Sequence, residues 1–409
     1  MRVPEGWKVK TISNILDKVS RPVEVEEKGL YREIGIRSHG KGIFYKEPIS
    51  GVQLGNKRVF HIEPNCLVIN IVFAWEQAVA KTTDAEIGMI ASHRFPMFVP
   101  KNDECDIDFI HHLFKTKHGK YLLELASPGG AGRNKTLGQS EFAKLELLLP
   151  PTVEQQKIAQ ILSTWDKAIT TTEQLLANSQ HQKKALMQQL LTGKKRLLDE
   201  DGVRFGEGWK EGNLGGITNI DSGYAFKSVD FTDSEAGVPI IRMSDFKTGG
   251  IDISGAAKIK MEATKGLDKF KLRAGDFVFG MSGSLSNYGW VKEQDLPCFL
   301  NQRVGRILVK EYSVQLFVTY LYLSDKIQQS ILDKAAGAAQ LNISVSDLRN
   351  TIVQYPNFEE QQKIAIVLST ADREIELLRT KLEALKQEKK ALMQQLLTGK
   401  RRVKILEVG

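Results

Sequence analysis

The chain has 409 residues, 42% of them hydrophobic and 26% charged, with a formal net charge of +8. At about 150 residues per domain this length gives two or three domains, and the ordinary composition excludes both a single small domain and a disordered or fibrous chain. The basic balance, with a pI near 9.1, favours a polyanionic partner over a cation-binding role.

The opening MRVPEGWKVK places Pro4 and Glu5 where a secretory segment needs an apolar core, and no run approaches about 18 apolar residues. Neither export nor a membrane span is expected. A first globule is expected over residues 1–151, with a β-rich run at Leu67–Phe73 inside NCLVINIVFAWEQAVAK, then IASHRFPMFV from Ile90, a helical stretch Phe109–Leu125 and GGAGRNKTL from Gly129. Pro150 and Pro151 lead into a helical region over 152–197, where Thr152 and Gln155 form a capping-box pattern and Gly193 is a C′ residue. EGWK, first met at Glu5, recurs at Glu207 and opens a second globule within 198–355. There GDFVFGMSGSLSNYGWVK from Gly275 (with the run Phe277–Phe279), FLNQRVGRIL from Phe299, the stretch Val314–Leu332 and GAAQLNISV from Gly337 repeat the earlier blocks in order. A second helical region, 356–409, starts with Asn357 and Glu360 in the same capping pattern and closes on Gly399.

The helical regions repeat most clearly. EQQKIAQILSTWDKAI…KKALMQQLLTGKKR from Glu154 and EQQKIAIVLSTADREI…KKALMQQLLTGKRR from Glu360 agree at more than half their positions. A 4,3 alternation runs through Ile364, Leu368, Ala371, Ile375, Leu378, Leu382, Leu385, Lys389, Leu392 and Leu396, the signature of a coiled-coil seam. The first copy carries Ile158, Leu162, Trp165, Ile169, Thr172, Leu176, Ser179, Lys183, Leu186 and Leu190 in the same phase, a weaker seam that needs a partner. A whole domain separates the two helices, so antiparallel packing connects them most simply, and pseudo-twofold symmetry follows. The expected fold is therefore α+β: two mixed α/β domains joined by two long helices in an antiparallel intramolecular coiled coil. A seam of roughly 50 Å matches about 15 base pairs of duplex. The plainer reading, a spacer or dimerisation device, stays open on periodicity alone. The near-identity of KKALMQQLLTGK nevertheless exceeds what a seam requires and points to one partner bound twice.

Chemistry is expected elsewhere. In GGAGRNKT Asn134 replaces the glycine a phosphate-binding loop needs, and GAAQLNIS has no matching lysine. His111, His112, His118 and Cys105 match no tetrahedral metal spacing, and Cys66, Cys105 and Cys298 suit neither a disulfide framework nor a zinc finger but a reducing cytoplasm. The glycine loop and the D/N-P-P-Y/F box of a base-flipping methyltransferase are missing from the sequence. What remains is polar and basic loops. In the first globule these hold Arg37, Ser38, His39, Lys41, Arg94, Arg133, Asn134 and Lys135. In the second they hold Tyr224, Lys227, Arg242, Ser244, Asp245, Ser282, Ser284, Asn301, Gln302, Arg303, Gln340 and Asn342. Arginine pairs with guanine edges, asparagine and glutamine with adenine, and lysine with phosphates, so these types suit DNA readout.

With PPTVEQQKIA and YPNFEEQQKIA leading in, KKALMQQLLTGK leading out, and the GDFVF and GAAQLNIS blocks between, the chain resembles the specificity subunit of type I restriction-modification systems over essentially its whole length. In the first globule Asn65-Cys66 stands in place of Gly275-Asp276. The resemblance implies two target-recognition domains, each reading half of an asymmetric bipartite DNA site, with the helices setting the spacer. It also implies docking of two modification subunits that use S-adenosylmethionine to methylate adenine N6, and joining of a restriction and translocase subunit that uses ATP and Mg2+. The chain itself would bind none of these cofactors and catalyse nothing. The competing expectation is a coiled-coil adaptor without DNA readout.

Overall fold

The computed structural model describes residues 3–129, 135–247, 250–283, 285, 287–335 and 342–404. The chain packs into two compact units, residues 1–174 with 380–409 and residues 175–379, so each unit combines one globule with parts of both long helices.

In the first unit four antiparallel strands lie in the order Leu16–Val19, Met97–Pro100, Leu67–Ile69, Val79–Lys81. Leu67, Val68 and Ile69 are all fully buried, which is why this run is continuously apolar and does not alternate. Lys8–Thr11 pairs with Glu146–Leu149 as a separate ribbon, and Ile34–Ile36 forms a hairpin with Ile43–Tyr45. The helical stretch Phe109–Leu125 is made of two helices, Ile107–Phe114 and Lys117–Leu125. Thr116 divides them: its backbone is extended and its hydroxyl accepts the Gly119 N–H, capping the second helix.

The second unit uses the same strand order, Thr218–Ser222, Val304–Val309, Phe277–Gly280, Tyr288–Trp290, and the same ribbon, Lys210–Asn213 with Ile352–Tyr355. Its helical stretch Val314–Leu332 is likewise made of two, Gln315–Tyr322 and Asp325–Ala335. A further four-stranded sheet, Phe231–Thr232, Lys258–Ile259, Val238–Ile241 and Phe299–Leu300, includes a parallel pairing of Ile240 with Phe299. Gly275 precedes the central strand at φ +86°, and Asn65 takes the equivalent left-handed place in the first unit at +56°. Asparagine is one of the few residues that accepts this conformation.

The long helices are Thr152–Leu190 and Phe358–Leu396, 39 residues each. Within the first unit Glu154 receives Arg402 at 2.7 Å, Asp166 receives Lys389 at 2.5 Å and Glu173 receives Lys386 at 2.9 Å. Numbers rise on one helix as they fall on the other, so the segments are antiparallel. The second unit repeats this with Glu360 and Arg196 at 2.7 Å, Asp372 and Lys183 at 2.5 Å, and Glu374 and Ser179 at 3.1 Å. Every residue of the 4,3 seam is buried or half-buried. At the helix ends the seam runs into the globular cores. Ile158, Leu162, Leu396 and Leu397 share a cluster with Phe109, Phe114 and Phe142, as Leu190, Ile364 and Leu368 do with Phe277, Phe279 and Phe317. Each such side chain contributes about 1.5–3 kcal/mol of burial, which holds helix and globule together as one body.

These contacts account for most of the repeated motif. The glutamates of EQQK clasp Arg402 and Arg196. Gln155 donates to the Pro150 carbonyl and accepts the Asp106 N–H, and Gln361 does the same with Pro356 and Val314. The capping boxes do not form as expected. Thr152 is already helical and its hydroxyl donates to the Asp103 carbonyl, while Asn357 does accept the Glu360 N–H but the Glu360 side chain turns to Arg196. Gly193 and Gly399 close the helices at φ +68° and +69°, and Trp209 and Trp7 of the two EGWK segments pack against them.

Candidate nucleic-acid interface

In the first unit the loop after strand Leu67–Ile69 gathers the basic segments. Ile71 N–H donates to the Arg94 carbonyl at 3.0 Å, and Leu137 N–H donates to the Ile71 carbonyl at 2.8 Å. The hairpin turn Arg37–Gly42 docks on the same loop: Ser38 Oγ donates to Glu76 at 2.8 Å, and the N–H groups of His39 and Gly40 donate to the carbonyls of Glu76 and Gln77. His39 holds φ +61° and Gly40 +63°, a left-handed pair that turns the hairpin sharply. Arg37, His39, Lys41 and Arg94 are exposed. The Arg37 guanidinium lies 5.0 Å from the Phe44 ring centre and the Lys135 ammonium 5.8 Å from that of Trp75, so aromatic faces brace two of the cations. Sequence reasoning passed over Trp75 and Gln77. Gln77 Nε2 donates to the Phe114 and Thr116 carbonyls and thereby ties the loop to the helical layer. The only sequence signal for them was FAWEQ following a buried strand.

The second unit builds the same scaffold from different residues. Met281 N–H donates to the Arg303 carbonyl at 3.0 Å, and Ile343 N–H to the Met281 carbonyl at 3.0 Å. Asn342 bridges to Ser282, and Tyr224 bridges to Asn301 with its N–H on the Leu300 carbonyl and its carbonyl accepting Gln302 N–H. The Tyr224 ring packs on Phe226 and Phe270, with centres 5.0 and 5.5 Å away. Lys227, Ser244, Gln302, Arg303 and Asn342 are exposed, and Arg242 and Asn301 are half-buried. Asp245 and Ser282 depart from the expectation of reading residues: they are only 5% and 7% exposed. The Asp245 carboxylate accepts Arg242 N–H and Ser244 Oγ, so it shapes its own turn and presents no free edge. Arg133, Asn134, Ser284 and Gln340 lie outside the described residues.

Among the described residues no group of three or more His, Cys, Asp or Glu is placed to hold a metal ion, and no helix is long and apolar enough to cross a membrane. Burial pushes the Cys105 and Cys298 thiols up to about 12, which makes them inert core residues.

One scaffold is built twice, presenting different polar side chains over the same backbone bonds. The family model described as "Type I restriction modification DNA specificity domain" matches residues 4–178 and 206–387, and the chain belongs to that family. It is similar to the MjaVIII specificity subunit of Methanocaldococcus jannaschii, 27% identical over 420 residues covering 99% of this chain and 95% of that protein. The EcoBI specificity subunit of Escherichia coli is 26% identical over 261 residues, 60% of this chain and 55% of that one. Two solved structures share the fold. The HsdS subunit from Thermoanaerobacter tengcongensis has a TM-score of 0.51 at 17% identity, with 98% of this chain and 99% of that one covered. The S subunit from M. genitalium has a TM-score of 0.59 at 15% identity, with coverages of 97% and 98%. Function as a DNA-specificity subunit, assembled with restriction-modification subunits and DNA, follows from the family, and the adaptor alternative is not favoured.

Proposed function

We propose that each globule reads one half of an asymmetric bipartite DNA site, that the paired helices fix the spacer between the halves, and that two modification subunits dock on the helical region. The observation that carries the reading is the shared scaffold: Ile71, Arg94 and Leu137 in one unit and Met281, Arg303 and Ile343 in the other make the same backbone bonds while the neighbouring polar side chains differ. Docking rests on what the repeated motif leaves over. Lys184, Ala185, Gln188 and Gln189, with their repeats Lys390, Ala391, Gln394 and Gln395, are exposed and serve neither seam nor core. They form matching stripes at helical spacing, as one partner bound twice requires. S-adenosylmethionine, ATP and Mg2+ belong to the partner subunits, this chain is non-catalytic, and the assembly works in the cytoplasm.

Mapping of methylated adenines in host DNA, before and after exchange of residues 1–151 for the corresponding globule of a relative, tests this. One half-site is expected to change while the other half-site and the spacer stay. Loss of both half-sites together would overturn the modular reading. At single positions, Arg303→Ala is expected to cost about 1–3 kcal/mol of specific binding and to relax one base position. Lys135→Ala should instead weaken binding to all sequences alike and flatten the salt dependence by about one phosphate contact. Titrations of the assembled complex at several salt concentrations separate these effects.

A further inference from the structure

Each unit contains a three-residue node that joins both long helices to the globule. In the second unit Asp372 accepts Lys183 Nζ at 2.5 Å from the helix Thr152–Leu190 and the Tyr320 hydroxyl at 2.6 Å from the globular helix Gln315–Tyr322. The Lys183 ammonium also lies 5.3 Å from the centre of the Tyr320 ring. In the first unit Asp166 accepts Lys389 Nζ at 2.5 Å, and His112, on the globular helix Ile107–Phe114, has Nδ1 3.9 Å from the same carboxylate. Its Nε2 is 3.5 Å from Ser163 Oγ. His112 and Tyr320 are each the sixth residue of their helix, so the two nodes are built at corresponding positions from different third members.

Lys183 and Lys389 occupy seam positions, with side chains only 21% and 10% exposed. A charged group at a seam costs stability and is best used to fix register, because sliding the helices strands it without a partner. The third member is neutral in both nodes. Burial, then the Lys389 ammonium, pushes the His112 imidazole down to about 4, and burial with the hydrogen bond to Asp372 raises the Tyr320 phenol. Asp166 and Asp108 pull His112 the other way, while Lys115 adds to the depression.

We propose that these nodes are positioning pins: the seam lysine sets the register of the helix pair and the third residue passes it to the globule, so the nodes determine which spacer length is accepted. The inference rests on the reading under Proposed function. The pins are unequal. Tyr320 closes its node with a short bond, whereas 3.9 Å is beyond hydrogen-bond reach and leaves buried His112 Nδ1 without a partner among the described residues. The first globule is thus the more loosely pinned of the two.

The test is methylation by the reconstituted complex on duplexes carrying both half-sites at the native spacer and at one base pair more or fewer. Tyr320→Phe removes one hydrogen bond to a charged group and is expected to lower discrimination against the wrong spacers by about tenfold, with the half-sites unchanged. His112→Tyr installs the second unit's group in the first node and is expected to sharpen discrimination. Unchanged spacer ratios in both variants, whatever happens to thermal stability, would reduce the nodes to ordinary packing and overturn the proposal. A wild-type complex with no spacer preference would overturn the underlying bipartite reading instead.

Discussion

Arg306→Met should destabilise the second unit by about 3–5 kcal/mol, the characteristic cost of leaving one member of a buried ion pair alone. Arg306 and Asp276 are 8% and 9% exposed and meet at 3.0 Å. The guanidinium also donates to the carbonyls of Lys269 and Lys271, and the carboxylate accepts the Arg273 N–H. Removing the guanidinium leaves a desolvated carboxylate and two carbonyls short of a donor. The first unit shows the alternative solution. In the aligned blocks Cys66 takes the place of Asp276 and Met97 that of Arg306, and both sit in one apolar cluster, 0% and 2% exposed. The double variant Asp276→Cys, Arg306→Met is therefore expected to recover most of the loss. The orphaned Lys269 and Lys271 carbonyls and the Arg273 N–H, which loses its acceptor, account for what is not recovered. Amide exchange along Phe277–Gly280 and Val304–Val309 measures both variants locally. A double variant no more stable than the single one would show that the ion pair is not interchangeable with apolar packing in this fold.

That exchange also shows where sequence reading reaches its limit. The long helices were legible because periodicity, prolines and closing glycines are local signals, and Gly193 and Gly399 fall where the helices end. The break at Thr116 was not, because a threonine within an apolar-periodic run looks like helix until its hydroxyl is seen capping Gly119. Lys183 and Lys389 are the charged members of the seam. Their partners Asp372 and Asp166 lie on the other helix, some 200 residues away in the chain, and no pattern in either segment pairs them. The candidate recognition loops were picked out by residue type alone. That criterion took in Asp245, whose carboxylate folds its own turn, and missed Trp75, whose ring supports Lys135. Residue type says what a side chain could bind; only burial and partners say whether it is free to do so.

Inserting four residues into each long helix, after Gln174 and after Arg379, should lengthen the accepted spacer by one or two base pairs and leave both half-sites intact. These points are the boundaries between the compact units, so each unit keeps its own contacts: Asp166 with Lys389 and Glu173 with Lys386 in one, Asp372 with Lys183 in the other. Four residues add about 6 Å of helix, a little under two base-pair steps, and advance the helical face by about 40°, close to the twist of a single step. Rise therefore favours two added base pairs and twist favours one, and the duplex settles between them at a modest deformation cost. A four-residue insert is a stutter that a coiled coil absorbs by local unwinding, so the seam survives. The methylated-adenine map of cells carrying the variant reads the outcome directly. Retention of the native spacer, with both half-sites still recognised, would mean that the distance is set by something other than these helices.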